Sequence, residues 1–127
     1  MIVADASVLI AHLDHSDAHG DRATALLVEA GAPPLWASPI TVAEVLVGPA
    51  RVGRLDDAHL ALRALGVQEI ALAADAPARL ARLRAETDLK LPDCCVLLAA
   101  QDAGAHTVLT FDERLAACAR RVGLSAP

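Results

Sequence analysis

Aromatic side chains are almost missing from this chain: it has no Tyr, one Phe (Phe111) and one Trp (Trp36). Proteins that bind single strands by stacking bases need several such rings, so a stacking platform is excluded. Cysteine is scarce too. Cys94, Cys95 and Cys118 are odd in number and include no Cys-x-x-Cys pair. That excludes a zinc site and reads as buried free thiols in a reducing compartment. The longest apolar runs are broken by Asp, His, Arg or Pro within about 10 residues, well short of the ~20 a membrane helix needs. No basic leader precedes the apolar start Met1-Ile2-Val3-Ala4, so a secretory signal is not expected. Together these absences lead us to expect a cytoplasmic domain with no membrane partner.

Positive charge is also in deficit, 11 Lys and Arg against 16 Asp and Glu, for a net charge of −5. A polyanionic partner favours a basic surface. The objection weakens if some of the acids hold divalent cations, because bound cations turn such a cleft positive.

What the chain has is apolar bulk. At 127 residues, 55% of them hydrophobic, it is long enough for one domain over residues 1–127 with a substantial core, and too apolar for disorder. Much of that content is Ala and Leu, strong helix formers.

Met1 to Ala4 is an apolar run ending at Asp5 and reads as a buried parallel strand. A mostly buried helix through Val8 and Leu13 follows, then a polar turn at Asp14-His15-Ser16-Asp17. A second helix is expected from about Ala18 to Ala30, with Gly31 as its left-handed cap and Pro33-Pro34 as a stop. Leu35-Trp36-Ala37 reads as a strand, and Ser38-Pro39 as a helix start. The helix so opened carries Glu44 and is expected to be interrupted at Gly48-Pro49. Further helices are expected over Leu55–Leu65, Ala74–Thr87, from Asp93 to Gly104 and from Asp112 to Arg121. Val67–Leu72 and Thr107–Thr110 supply two more strands. Strands alternating with helices in this way predict an α/β sandwich with a mainly parallel sheet of about four to five strands.

Four acids stand out. Asp5 and Asp112 lie just beyond strands, where parallel sheets build their sites. Asp93 follows Pro92 at a helix start, and Glu44 sits in an otherwise apolar helix. Each has an ordinary alternative: Asp93 and Asp112 as helix caps or first-turn acids, Glu44 as a solvent-facing residue. Two carboxylates ~5 Å apart repel by roughly 3 kcal/mol at an effective dielectric near 20, so a cluster needs shared protons or a cation. Oxygen ligands without nearby Cys favour magnesium or manganese, and such a site suits phosphodiester hydrolysis by an activated water.

Asp5-Ala6-Ser7 after the first strand, Ser38-Pro39-Ile40-Thr41-Val42-Ala43-Glu44-Val45, Leu91-Pro92-Asp93 and Leu109-Thr110-Phe111-Asp112 together resemble the PIN domain. Length and motif order are similar to the VapC toxins of bacterial toxin–antitoxin pairs, over residues 1 to 125. The resemblance implies a PIN-like three-layer sandwich and a magnesium-dependent endoribonuclease with Asp5, Glu44, Asp93 and Asp112 as metal-binding acids. It implies Ser7 and Thr110 as polar neighbours that orient a carboxylate or bound water. Glu113 adjoins Asp112 and rivals it for the metal, a departure from the pattern, and nearness to the strand end favours Asp112. RNA as substrate, a cognate antitoxin and a homodimer are also implied.

Arg51 and Arg54, after the helix bearing Glu44, are candidates to meet RNA phosphates, whereas Arg79, Arg82 and Arg84 read as a solvated face. His15 and His19 have metal-ligand spacing, but Gly20 and the turn-like composition favour a solvated loop. His12 reads as a satisfied semi-buried residue, His59 and His106 as surface residues. Three other functions stay open: a PIN-type nuclease outside a toxin pair, a binding domain without catalysis, and a receiver-like phosphorylation domain. The last needs a Lys after a late strand, and Lys90, the only Lys, precedes Pro92.

Overall fold

The structure, a computed structural model, describes residues 1–31 and 34–127. Its strands are β1 (Ile2–Ala4), β2 (Leu35–Ala37), β3 (Val67–Glu69) and β4 (Thr107–Leu109). Its helices are α1 (Ala6–Leu13), α2 (Gly20–Glu29), α3 (Pro39–Arg51), α4 (Leu55–Ala64), α5 (Ala76–Thr87), α6 (Leu91–Ala103) and α7 (Glu113–Arg121). The four strands pair in parallel in the order β3-β2-β1-β4. The chain steps one way from β1 through β2 to β3, then crosses to the other side of β1 for β4. That reversal opens a crevice at the carboxyl ends of β1 and β4.

Side chains alternate along a strand, and the three layers follow from it. Val3 and Val108 face one side and are buried with Leu97 of α6 and Leu115 and Ala119 of α7. Ala4 and Ala37 face the other side, against Leu9 of α1 and Val42 and Val45 of α3. Leu35 and Leu109 join Val8, Ala23 and Leu27 on that second side. All seven residues from Cys94 to Ala100 are buried, so α6 is a central helix, apolar on nearly every side. Cys94, Cys95 and Cys118 are free and buried as expected. Burial pushes the Cys94 and Cys95 thiols up and keeps them protonated. No helix among the described residues is long and apolar enough to cross a membrane.

Several boundaries differ from expectation: β3 ends at Glu69 rather than Leu72, and α5 starts at Ala76 rather than Ala74. Gly48-Pro49 does not interrupt α3, which runs on to Arg51. A proline removes one backbone donor, and this close to a helix end the loss is small. The Pro49 carbonyl then gathers the exit, accepting the Val52 and Arg54 amides at 3.2 and 2.9 Å. Helix α6 starts at Leu91 rather than Asp93, because Pro92 is tolerated in the first turn, where an amide has no partner anyway. Helix α2 starts at Gly20, with the Asp17 carboxylate holding the His19 amide at 2.8 Å in the preceding turn. Gly31 takes the left-handed conformation after α2, at φ 91°. Of the expected stop at Pro33-Pro34, Pro34 is irregular, and Pro33 lies outside the described residues.

Candidate active site

The sheet register assembles the site. Ile2, Val3 and Ala4 pair with Thr107, Val108 and Leu109, and one residue further along Asp5 stands beside Thr110. The Asp5 amide donates to the Leu109 carbonyl at 2.9 Å. Asp5 precedes α1 but its side chain makes no cap bond. Instead its carboxylate, 6% exposed, accepts two hydroxyls on Oδ2, from Ser7 Oγ and Thr110 Oγ1, each at 2.8 Å.

Each hydroxyl has one proton to give and lone pairs to receive with. Ser7 Oγ also accepts the Phe111 amide at 3.0 Å, and Thr110 Oγ1 accepts the Asp112 amide at 2.9 Å. With both protons committed to Asp5, the 3.4 Å approach of Ser7 Oγ to Thr110 Oγ1 is a contact without a proton of its own. Asp5 is thereby held in one orientation from two chain segments.

Glu44 and Asp93 meet Asp5 through charge, and Asp112 meets Asp93. Asp93, half-buried in the first turn of α6, occupies a position where a helix normally favours negative charge. Its pKa is raised nonetheless, first by burial, then by the charges of Asp5 and Asp112, with Lys90 and Arg114 pulling partly the other way. Glu44, in the second turn of α3, is also raised, by loss of solvent and then by Asp5 and Asp93, although water still reaches it. Its side chain borders a groove of about 500 Å³ between α1, α3 and α4. Asp112 caps α7, its Oδ1 accepting the Leu115 amide at 2.9 Å. The alternative reading of this residue as a cap is therefore a structural fact, and one carboxylate oxygen remains outside that bond. Glu113 is exposed, and it is the charge of Asp112 that acts on Asp93.

The four acids are thus one electrostatic unit at the carboxyl edge of the sheet. Among the described residues, no three His, Cys, Asp or Glu side chains come together closely enough to hold a metal ion as they stand. The donor set is suited to one all the same: carboxylate oxygens that only accept, with mutual repulsion a hard cation would relieve.

The remaining candidates take varied places. Arg51 is the exposed last residue of α3 rather than a residue after it. Arg54 borders the groove with Glu44 and pairs at 3.5 Å with Asp57. Arg79 ties α5 to α6 through Asp102 at 2.7 Å, and Arg84 bonds the carbonyls of Asp88 and Leu89 after α5. His12 is satisfied by Thr24 at 2.9 Å, His106 is exposed, and His59 is half-buried against α3 and β3 rather than at the surface. Lys90 precedes α6 and follows no strand, which removes the geometry a receiver-like domain needs. Sequence reasoning missed a cluster beside the acids: Phe111 packs against His19, with ring centroids 5.3 Å apart, and under the Arg22 guanidinium at 5.0 Å. Nothing in the spacing of these residues signals the contact, since strand order alone brings α2 to β4.

Comparison with known proteins agrees with this geometry. No curated protein matches the chain significantly. Among solved structures, one from a toxin–antitoxin complex of Klebsiella pneumoniae is 28% identical, covering 92% of this chain and 91% of its own, at a TM-score of 0.73. VapC20 of Mycobacterium tuberculosis, described as a sarcin-ricin loop cleaving toxin, is 19% identical over 93% of this chain and 95% of its own, at 0.76. FitAcB from Neisseria gonorrhoeae is 21% identical over 99% and 96%, at 0.73. The last two, at such low identity, speak for the fold alone. The PIN domain family model matches residues 2–121, a span that takes in all four strands and all four acids. The chain belongs to the PIN domain family.

Proposed function

We propose that this protein is a cytoplasmic, divalent-metal-dependent endoribonuclease, the toxin of a bacterial toxin–antitoxin pair, working as one nuclease domain and as a homodimer. The observation that carries the nuclease reading is the junction at the crevice between β1 and β4, where Ser7 and Thr110 hold the Asp5 carboxylate and the same Thr110 hydroxyl accepts the Asp112 amide, with Asp93 and Glu44 raised in part by the charge of Asp5. Membership of the PIN family supports it. The toxin reading draws on the structural neighbour from the Klebsiella pneumoniae toxin–antitoxin complex.

In this reading Asp5, Glu44, Asp93 and Asp112 hold magnesium, or manganese in its place. Bound there, the cation supplies Lewis acidity, acidifying an attacking water and offsetting charge at the phosphate. Asp5 is the fixed ligand, since Ser7 and Thr110 occupy its Oδ2 and set its plane. Glu44 is the adjustable arm: solvent-exposed and with three rotatable bonds, it can close on a cation that the rigid side does not complete. Asp112 serves twice, with one oxygen on the α7 cap and the other left for the cation. In this reading Arg51 and Arg54, at the exit of α3, meet phosphates of the RNA.

The test is cleavage of cellular RNA by the purified protein with magnesium or manganese, with EDTA, and in the Asp5→Asn and Asp93→Asn variants. Undiminished cleavage in EDTA or in both variants overturns the reading. A short neighbouring reading frame encoding a DNA-binding protein that blocks cleavage supports the toxin assignment. Cleavage without any such inhibitor leaves a PIN-type nuclease outside a toxin pair.

A further inference from the structure

An acidic cleft repels the polyanion it must cut, so a nuclease of net charge −5 needs cationic groups posted at the rim. Several arginines are engaged within the fold: Arg79 by Asp102, Arg84 by backbone carbonyls, Arg120 by the Ala126 carbonyl. Arg22, exposed on the first turn of α2, forms no ion pair among the described residues, and neither do Arg51, Arg63, Arg82, Arg114 and Arg121. What sets Arg22 apart is that its guanidinium lies over the Phe111 ring.

Phe111 is itself firmly placed. It sits between Thr110 and Asp112, its amide donates to Ser7 Oγ, and its ring packs on the core around Val8, Ala23 and Leu27. The same hydroxyl that receives its amide donates to Asp5. The Phe111 backbone is therefore joined through Ser7 to the best-fixed acid of the cleft by two hydrogen bonds.

We infer that Arg22, held on the Phe111 ring beside the cleft, binds a backbone phosphate of the RNA strand that enters it, with His19 as flanking support. The inference rests on the ribonuclease reading and deepens it by assigning a substrate contact. A guanidinium stacked on an aromatic face keeps its N–H edge free for a planar, bidentate contact with phosphate oxygens. The face Arg22 covers is closed to a base, so the contact is with phosphate rather than by stacking. Arg22 is the binding residue; Phe111 is a positioning residue that acts through it. His19 packs on the same ring, tilted 36° to it.

The experiment follows cleavage of a short fluorescein-labelled single-stranded RNA of mixed sequence, with magnesium, over a range of salt concentrations. Arg22→Gln is expected to raise KM about fivefold, the weight of one exposed charged contact, with kcat nearly unchanged. The log–log salt dependence of kcat/KM should flatten by about 0.7, one single-strand phosphate contact. Arg22→Lys should restore the salt slope. In a Phe111→Leu background, the further change Arg22→Gln should cost much less than in the wild type, an effect that a merely structural role for the ring does not produce. Thermal melting of Arg22→Gln should match the wild type. A variant Arg22→Gln with wild-type KM and salt slope, in a protein that cleaves RNA, overturns this assignment and leaves the nuclease reading intact. Failure of the wild type to cleave or bind any RNA with metal overturns both.

Discussion

Thr110 Oγ1 stands 2.8 Å from Asp5 Oδ2 and at the same time accepts the Asp112 amide at 2.9 Å. One buried hydroxyl therefore joins an acid after β1 to the backbone of an acid after β4. The link exists because the parallel register of the two strands, carried one residue past Ala4 and Leu109, sets position 5 level with position 110. Most of the expectations below turn on this junction.

Thr110→Val keeps the side-chain shape and removes the hydroxyl. It leaves the Asp112 amide without its acceptor and Asp5 with one donor fewer. Urea denaturation should show a loss of about 1–3 kcal/mol, the cost of an unmet buried polar group. RNA cleavage should fall by roughly 10- to 100-fold, as with other residues that orient a metal ligand. Ser7→Ala should act in the same direction. Full activity in both would show that the plane of the Asp5 carboxylate is immaterial.

Metal binding can be read without activity. Manganese at about 100 times its dissociation constant should stabilise the wild type by about 2.7 kcal/mol, seen as a rise in melting temperature. Asp5→Asn should abolish most of that rise. A variant that melts like the wild type at every manganese concentration would remove Asp5 from the ligand set.

Glu44 and Asp93 are both raised above their ordinary values of 4.5 and 3.8. Raised carboxylates favour the fold fully below their ordinary pKa, and that contribution is lost as pH climbs through the raised folded value. At neutral pH in EDTA they should therefore work against stability. Glu44→Gln and Asp93→Asn should melt slightly above the wild type there, by less than the ~4 °C that 1 kcal/mol is worth in a domain of this size. The gap should close as pH falls toward the ordinary carboxylate range. Variants that melt lower at neutral pH would contradict the repulsion.

Asp112 has two jobs that different substitutions separate. Asp112→Asn keeps a good cap for α7 and should melt near the wild type while losing most RNA cleavage. Asp112→Ala loses cap and charge together and should cost about 1 kcal/mol in addition. Glu113→Ala, at an exposed position, should stay within about 0.5 kcal/mol of the wild type and cleave normally. Loss of activity in Glu113→Ala alone would transfer the role to that residue.

The order of strands and helices was legible in the sequence, because burial imposes its period on apolar residues: Val3 and Ala4, Val108 and Leu109, Leu97 and Leu98 are where a buried frame requires them. Asp5 was legible for the same reason, as a charge directly after a buried strand. The helix start at Ser38 was written in its own chemistry, with Ser38 Oγ receiving the Ile40 amide at 3.2 Å. Local pattern misjudged Gly48-Pro49 and the start of α6, since what a proline costs depends on whether the lost donor had a partner. It also could not divide Asp112 between cap and cleft, which depends on where α7 points. Only the tertiary structure could decide that Asp5 accepts the Thr110 hydroxyl, that Asp93 and Glu44 feel its charge, and that Arg22 rests on Phe111. Those relationships join residues far apart in the chain. They are set by the crossover that places β4 beside β1, a choice made by the packing of whole layers and carried by no single stretch of sequence.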